Sequence, residues 1–186
     1  MSAPEPAQRT RRVFFALWPG RRLAADLAAI ARERGVRGRA IPGENLHLTL
    51  AFIGPVTDKR LRELQGIAGS VRAPAFDLLL DRIEHRPRQR MLWACADEIP
   101  PALAELVRDL NSGLAAAGFR VEERPFSAHV TLVRDCRCEA APVLPAALAW
   151  QVSAFVLAAS RLGAEGARYT VASRWKLAGG SPVTGR

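Results

Sequence analysis

Lysine is nearly missing from this 186-residue chain: of 27 basic residues only Lys59 and Lys176 are lysines, and the rest are arginine. Arginine's planar fork suits phosphate better than lysine's point charge. The formal net charge of +9 therefore points to polyanionic partners, nucleic acid or phosphorylated metabolites. Cysteine is also scarce. Three cysteines behind a start that lacks an apolar leader make reduced thiols and a cytoplasmic setting the expectation, not a disulfide scaffold. Glycine-rich phosphate loops are missing: neither G-x-G-x-x-G nor G-K-[ST] occurs, so dinucleotide and nucleotide-triphosphate sites lack support. The longest uncharged stretch, 140–160, is interrupted by Pro142, Pro145, Gln151 and Ser153, where a spanning helix would break. No membrane partner is expected. With 49% apolar and 24% charged residues of both signs, the chain has neither the composition of a disordered protein nor too little material for a core.

The length fits a single domain: a polar lead over 1–12, a folded body over 13–177 and a loose tail over 178–186. The apolar run 13–18, closed by Pro19-Gly20, reads as a buried strand. Leu23, Leu27, Ile30 and Ala31 recur at helical spacing until Gly35. Residues 46–53 alternate as a second strand, and Thr57 caps a helix with Leu61, Leu64, Ile67 and Val71 on its apolar stripe. Strands are predicted over 76–83 and 91–96, joined by the basic loop 85–90, with His85 solvated in it. Pro100-Pro101 opens a helix through Leu103, Leu106, Val107, Leu110 and Leu114. Strands over 126–134, 151–158 and 168–176 complete the set. Helices alternating with long hairpins predict an α+β fold over a doubly wound parallel sheet.

The informative feature is a repeat. Leu46-His47-Leu48-Thr49-Leu50 and Ala128-His129-Val130-Thr131-Leu132 both read His, apolar, Thr, apolar, and they use two of the three histidines. On a strand, residues two apart share a face, so each copy presents an imidazole and a hydroxyl while the residue between them enters the core. A pair of imidazoles can serve as general base and general acid on opposite sides of one reacting centre. The threonine hydroxyls and Arg134, three residues beyond Thr131, can donate to non-bridging oxygens between them. No aspartate stands at matching spacing for a serine-type triad. Cys136 and Cys138, with His129 upstream, lack the second ligand pair a metal wants. Phosphodiester chemistry without metal or cofactor fits these residues.

Together with 13–17, Glu44 and Asn45 before the first motif, Phe52 and Gly54 after it, Leu92-Trp93-Ala94, Phe126-Ser127 and the late Tyr169 and Trp175, these motifs resemble the 2H phosphoesterases. Within them they resemble the bacterial and archaeal RNA 2',3'-cyclic phosphodiesterases formerly called 2'-5' RNA ligases. The residue before the second histidine is often proline in that group and is Ala128 here. The resemblance implies a bilobal α+β fold, two pseudo-symmetric lobes of antiparallel-rich sheet around a central cleft with helices outside. It further implies hydrolysis of terminal 2',3'-cyclic phosphates to 2'-phosphates without metal, and the expected partner is RNA with such an end, or a cyclic nucleotide, bound by a monomer. His47, Thr49, His129, Thr131 and Arg134 match its functional positions, with His129 as base and His47 as acid. Arg86, Arg88 and Arg90 are candidates for holding the RNA backbone, and Phe14, Phe15 and Trp18 for stacking a base. Two alternatives stay open: a phosphodiesterase of small cyclic nucleotides or 2'-5' linked oligonucleotides, with weak ligation in reverse, and a non-catalytic RNA-binding module.

Overall fold

The computed structural model describes residues 10–138, 140–163 and 166–179. Most of the expected lead and tail lies outside the described residues. Strand β1 (Arg11–Leu17) begins two residues before the apolar run. It pairs antiparallel with β3 (Leu48–Val56) on one side and β9 (Ala154–Gly163) on the other. Both of its faces are covered, so residues 13–17 are buried without alternation. Beyond β9 lies β10 (Gly166–Lys176). The other half comprises β7 (His129–Arg137), then β6 (Met91–Cys95), then β5 (Arg82–Arg86), with the short β2 (Arg37–Ala40) also on β7. Both halves belong to one eight-stranded sheet. β3 and β7 meet through one residue pair, Leu48 with Val130, so the sheet diverges there into two wings. The expected lobes are thus halves of a shared sheet.

Helices α1 (Arg21–Ile30), α2 (Asp58–Ser70) and α3 (Pro101–Ala116) cover one face of this sheet. Their buried leucines form one core with Val13, Phe15, Leu48, Leu50, Val130 and Leu132. Each such side chain withdrawn from water contributes ~1.5–3 kcal/mol. Thr57 caps α2 as its sequence predicts, its Oγ1 accepting from the Arg60 amide at 3.4 Å. The opposite face carries only a small apolar cluster, Phe14, Ala16, Val156 and Ala158, flanked by Trp18 and Tyr169. Polar side chains of both His-x-Thr copies emerge on that face.

Two expected strands are each divided. Residues 76–83 comprise β4 (Phe76–Leu80), paired with β8 (Leu148–Val152) in a separate two-stranded sheet, and then β5 in the main sheet. The physical sign is a parity change: Leu78 and Leu80 are buried, and then Ile83, which a continuous strand would turn outward. Residues 151–158 divide at Ser153 in the same way, between β8 and β9, where burial passes from Trp150 and Val152 to Phe155 and Leu157.

β2 has no apolar pattern, and its residues are exposed. It forms because Gly38, at φ +139°, lets the backbone approach β7 so closely that a Cβ there would lie 2.7 Å from the Arg134 carbonyl. The expected solvated setting of His85 is also corrected. His85 lies within β5, opposite Leu92, and is half-buried, so only Pro87 to Arg90 form the hairpin's tip.

Candidate active site

The pair Leu48 and Val130 sits at the middle of the sheet, both side chains fully buried in the core. An antiparallel register centred there sets His47 toward Thr131 and Thr49 toward His129. All four polar side chains are partly exposed on the helix-free face. Each imidazole is held by its own chain: Nδ1 of His47 donates to the Asn45 carbonyl at 2.6 Å, and Nδ1 of His129 to the Ser127 carbonyl at 2.9 Å. A carbonyl only accepts, so both neutral rings carry their proton on Nδ1 and keep the Nε2 lone pair.

Arg134 joins them through an irregularity. Three residues beyond Thr131, it would face the core side of a regular strand. On β7, however, Leu92 pairs with Val133 and Trp93 with Thr131, leaving Leu132 as an extra residue. This β-bulge turns both Leu132 and Val133 into the core and returns Arg134 to the face of His129 and Thr131. β3 contains a matching bulge, where Phe15 pairs with Ala51 and Ala16 with Thr49. It brings Phe52, three residues beyond Thr49, to the site face, where the ring is 55% exposed. Equivalent positions of the two copies thus hold an arginine and a phenylalanine.

The environments of the two rings differ. His47 is enclosed by aromatics: Trp18 stacks on it at 5.4 Å, with Phe14 at 4.8 Å and Tyr169 edge-on at 5.0 Å. Among the described residues His129 stacks on Trp93 alone, at 4.0 Å, and the Arg86 guanidinium lies 5.0 Å from the centre of that indole. Arg86 is paired with Glu84, which also accepts from Arg82 at 2.6 Å. Burial pushes the pKa of both histidines below the ordinary value, against the stabilising carbonyls. For His47 the charges of Arg134 and His129 lower it further. For His129, Arg86 lowers it and Glu84 raises it. Cys95, directly opposite His129 in register, has its thiol pushed by burial up to about 11, which leaves it protonated and a poor nucleophile.

Asn45 completes the site, although spacing alone gives it no role. It is buried, its Nδ2 donates to the Ala167 carbonyl at 3.1 Å, and its Oδ1 accepts from the Tyr169 amide at 3.4 Å. The residue that holds His47 by its carbonyl is thereby anchored to β10. A cleft of about 900 Å³ adjoins the site, lined by Arg12, Phe14, Arg39, Glu44, Asn45, Phe52, Arg134, Ser160, Arg168 and Tyr169. Arg12, Arg39 and Arg168 carry no motif that would single them out among 25 arginines.

The remaining expected contact residues divide. Phe15 is corrected to a core residue: it is fully buried against Phe155 and Trp175, beyond reach of a base. Phe14 is 4% exposed and packs under His47, so it supports the ring and offers no open face for a base. Trp18 keeps partial exposure while stacking on His47. Arg86 turns toward Trp93, Arg88 is exposed at the tip, and Arg90 pairs with Asp135 at 3.6 Å.

The profile of the LigT like phosphoesterases matches this chain twice, over 19–93 and 94–169, one match for each His-x-Thr copy. The chain belongs to this family. Over 179 residues it is 35% identical to an RNA 2',3'-cyclic phosphodiesterase of Escherichia coli, covering 90% of this chain and 97% of that protein. A second RNA 2',3'-cyclic phosphodiesterase, from Thermus thermophilus, is 30% identical over 184 residues, with 90% and 91% covered. The crystal structure of E. coli LigT complexed with 3'-AMP superposes with a TM-score of 0.81 at 32% identity, covering 91% of this chain and 99% of that one. The α+β architecture of this phosphoesterase is therefore that of its relatives.

Proposed function

We propose that this phosphoesterase opens 2',3'-cyclic phosphate ends of RNA to 2'-phosphates, with His47 and His129 as its acid and base. The observation that carries the reading is the pair of imidazoles, each with Nδ1 committed to a carbonyl and Nε2 left for proton exchange, flanking two hydroxyls and a guanidinium. Nε2 of His129 takes a proton from water, and the water oxygen forms a bond to phosphorus. The P–O3' bond breaks in line, and Nε2–H of His47 protonates O3'. Thr49, Thr131 and Arg134 hold the non-bridging oxygens as charge builds on them. The charges at His47 agree with this direction, because Arg134 makes a protonated His47 a stronger acid, while at His129 Glu84 offsets part of the larger opposing effect of Arg86.

Among the described residues, no cluster of metal-ligating side chains gathers on this floor, so the reaction is read as metal-free. In the further reading, the RNA strand leaves through the cleft beside Arg134, along Arg12, Arg39 and Arg168, with Arg88 and Arg90 as more distant contacts. No described helix is long and apolar enough to cross a membrane, and the enzyme is read as a cytoplasmic monomer.

The test is turnover of a cyclic mononucleotide and of a longer cyclic-ended RNA, with and without EDTA. Activity that vanishes with EDTA and returns with one metal overturns the metal-free mechanism. RNA binding with a steep salt slope but no ring opening would favour a binding module. Arg12→Ala and Arg39→Ala should weaken the long substrate and flatten its salt dependence while sparing the mononucleotide. Equal losses on both substrates would move the strand elsewhere.

A further inference from the structure

On the sheet face opposite the histidine pair, three side chains converge that the reaction does not use. His85 in β5, Leu92 in β6 and Val133 in β7 lie in one line across the strands, and Leu92 and Val133 belong to the helix-side core. Cys136, buried in that core, follows on β7, and Cys138, packed against it, lies one residue past the strand's end. A ring nitrogen of His85 and the two Sγ atoms all lie within 4.8 Å of one another, and the two sulfurs are 3.9 Å apart. Nε2 of His85 is out of reach of solvent and makes no hydrogen bond. A polar nitrogen left in this state costs ~1–3 kcal/mol.

We propose that His85, Cys136 and Cys138 form a binding site for a thiophilic d¹⁰ cation, with zinc as the ion to be tested. The geometry is that of the class. Two thiolates about 2.3 Å from zinc at a tetrahedral angle stand roughly 3.8 Å apart, close to the observed separation. Two thiolates and one imidazole neutralise a divalent ion, which suits a half-buried place beside a core. The fourth position stays open to water. The C-x-C spacing alone is a weak signal, and the histidine nearest it in sequence, His129, faces the other side of the sheet. β5 supplies the third ligand through cross-strand register, which no local motif reveals. The site is separate from the proposed reaction: the sheet itself lies between the cation and the imidazole pair, so loading should stabilise the β5–β7 wing and leave hydrolysis unchanged.

The experiment uses the full chain, reduced and stripped with a chelator that is then removed. Zinc is titrated against a chromophoric competitor, and cobalt(II) and copper(I) are tested in parallel. One equivalent of zinc should bind per chain, and cobalt should give the intense near-ultraviolet thiolate band. Zinc should also protect Cys136 and Cys138 from alkylation, mapped by peptide mass spectrometry. Cys136→Ser with Cys138→Ser should abolish binding while cyclic-nucleotide turnover persists. His85→Gln should weaken binding by at least the ~10–100-fold that loss of an outer-shell partner already costs. Neither zinc nor copper(I) retained, no thiolate band and unprotected thiols in the wild-type chain would overturn the proposal even if the variants fail to fold. A Cys136–Cys138 disulfide forming in place of metal binding would overturn it in favour of a redox pair. Copper(I) retained where zinc is not would keep the site and change the ion.

Discussion

The two copies of the motif share a backbone plan and differ in what surrounds it. In each, a histidine donates Nδ1 to the carbonyl two residues upstream, a threonine follows on the same face, and a bulge turns the third residue beyond it back toward the cleft. The first copy then fills its surroundings with rings, Phe14, Trp18 and Tyr169 against His47 and Phe52 at the bulge position. The second fills them with charge, Arg134 at the bulge position and Glu84 with Arg86 behind Trp93. Two similar halves thus place their imidazoles in unlike surroundings, rings about one and charges about the other. A reaction that needs one donor and one acceptor asks the two rings to be in different protonation states when it starts.

The largest effect that can break this comparison is removal of a ring. His47→Ala and His129→Ala should each slow opening of a cyclic nucleotide by ~10²–10⁴ with native circular dichroism. Exchanging the leaving alcohol for a good leaving group, such as a nitrophenolate, separates the roles. A group that needs no proton should rescue the His47 variant and leave the His129 variant slow. Rescue of the His129 variant alone would reverse the assignment.

Arg134→Gln comes next, with a loss of ~10²–10³ in kcat, the amount typical of one missing donor to a developing oxyanion. Its pH profile carries the sharper information. The Arg134 charge lowers the pKa of His47, so removing it raises that pKa. An acid that keeps its proton to higher pH moves the alkaline limb of kcat/KM upward. An unmoved limb would show that His47 is not the group titrating there.

What the sequence made legible was local. Paired His-x-Thr spacing, helix stripes and the Thr57 cap are readable because each depends on residues within one or two turns. What stayed hidden depends on register between distant strands. Arg134 was named from its place beyond Thr131, but the bulge at Leu132 that turns it to the site face was not readable, β2 exists only because Gly38 accepts a close approach, and His85 meets Cys136 and Cys138 only across β6. The divided strands at 76–83 and 151–158 are an intermediate case, since the change of burial parity was present in the order of the leucines.

Asn45 tests whether the aromatic copy is held by that distant register. Asn45→Ala removes both bonds to β10 and leaves the Ala167 carbonyl and Tyr169 amide without these partners, which should cost ~1–3 kcal/mol of stability by denaturant titration. Because the Asn45 carbonyl remains, His47 keeps its Nδ1 partner but on a looser turn. kcat should fall less than for His47→Ala, with KM little changed. An unchanged midpoint would mean that the turn is anchored by other contacts.

The smallest expected effect is Glu84→Gln, and it isolates the charged copy without touching the floor of the site. Glu84 raises the proton affinity of His129, whereas Arg86 lowers it. Neutralising Glu84 removes the favourable charge and also releases Arg86 from its partner. Both changes disfavour the imidazolium and lower the pKa of His129. A base of lower pKa loses activity to protonation only at lower pH, so the acid limb of kcat/KM should move toward acid. The plateau should fall modestly, because a weaker base accepts the water proton less readily. The alkaline limb, set by His47 in its aromatic surroundings, should stay in place. Trp93→Phe is the control: it keeps a ring under His129 and alters no charge, so a limb shift as large as that of Glu84→Gln would assign the effect to packing. Movement of both limbs in Glu84→Gln would mean that the two copies titrate as one coupled pair, and the division of labour drawn between them would fail.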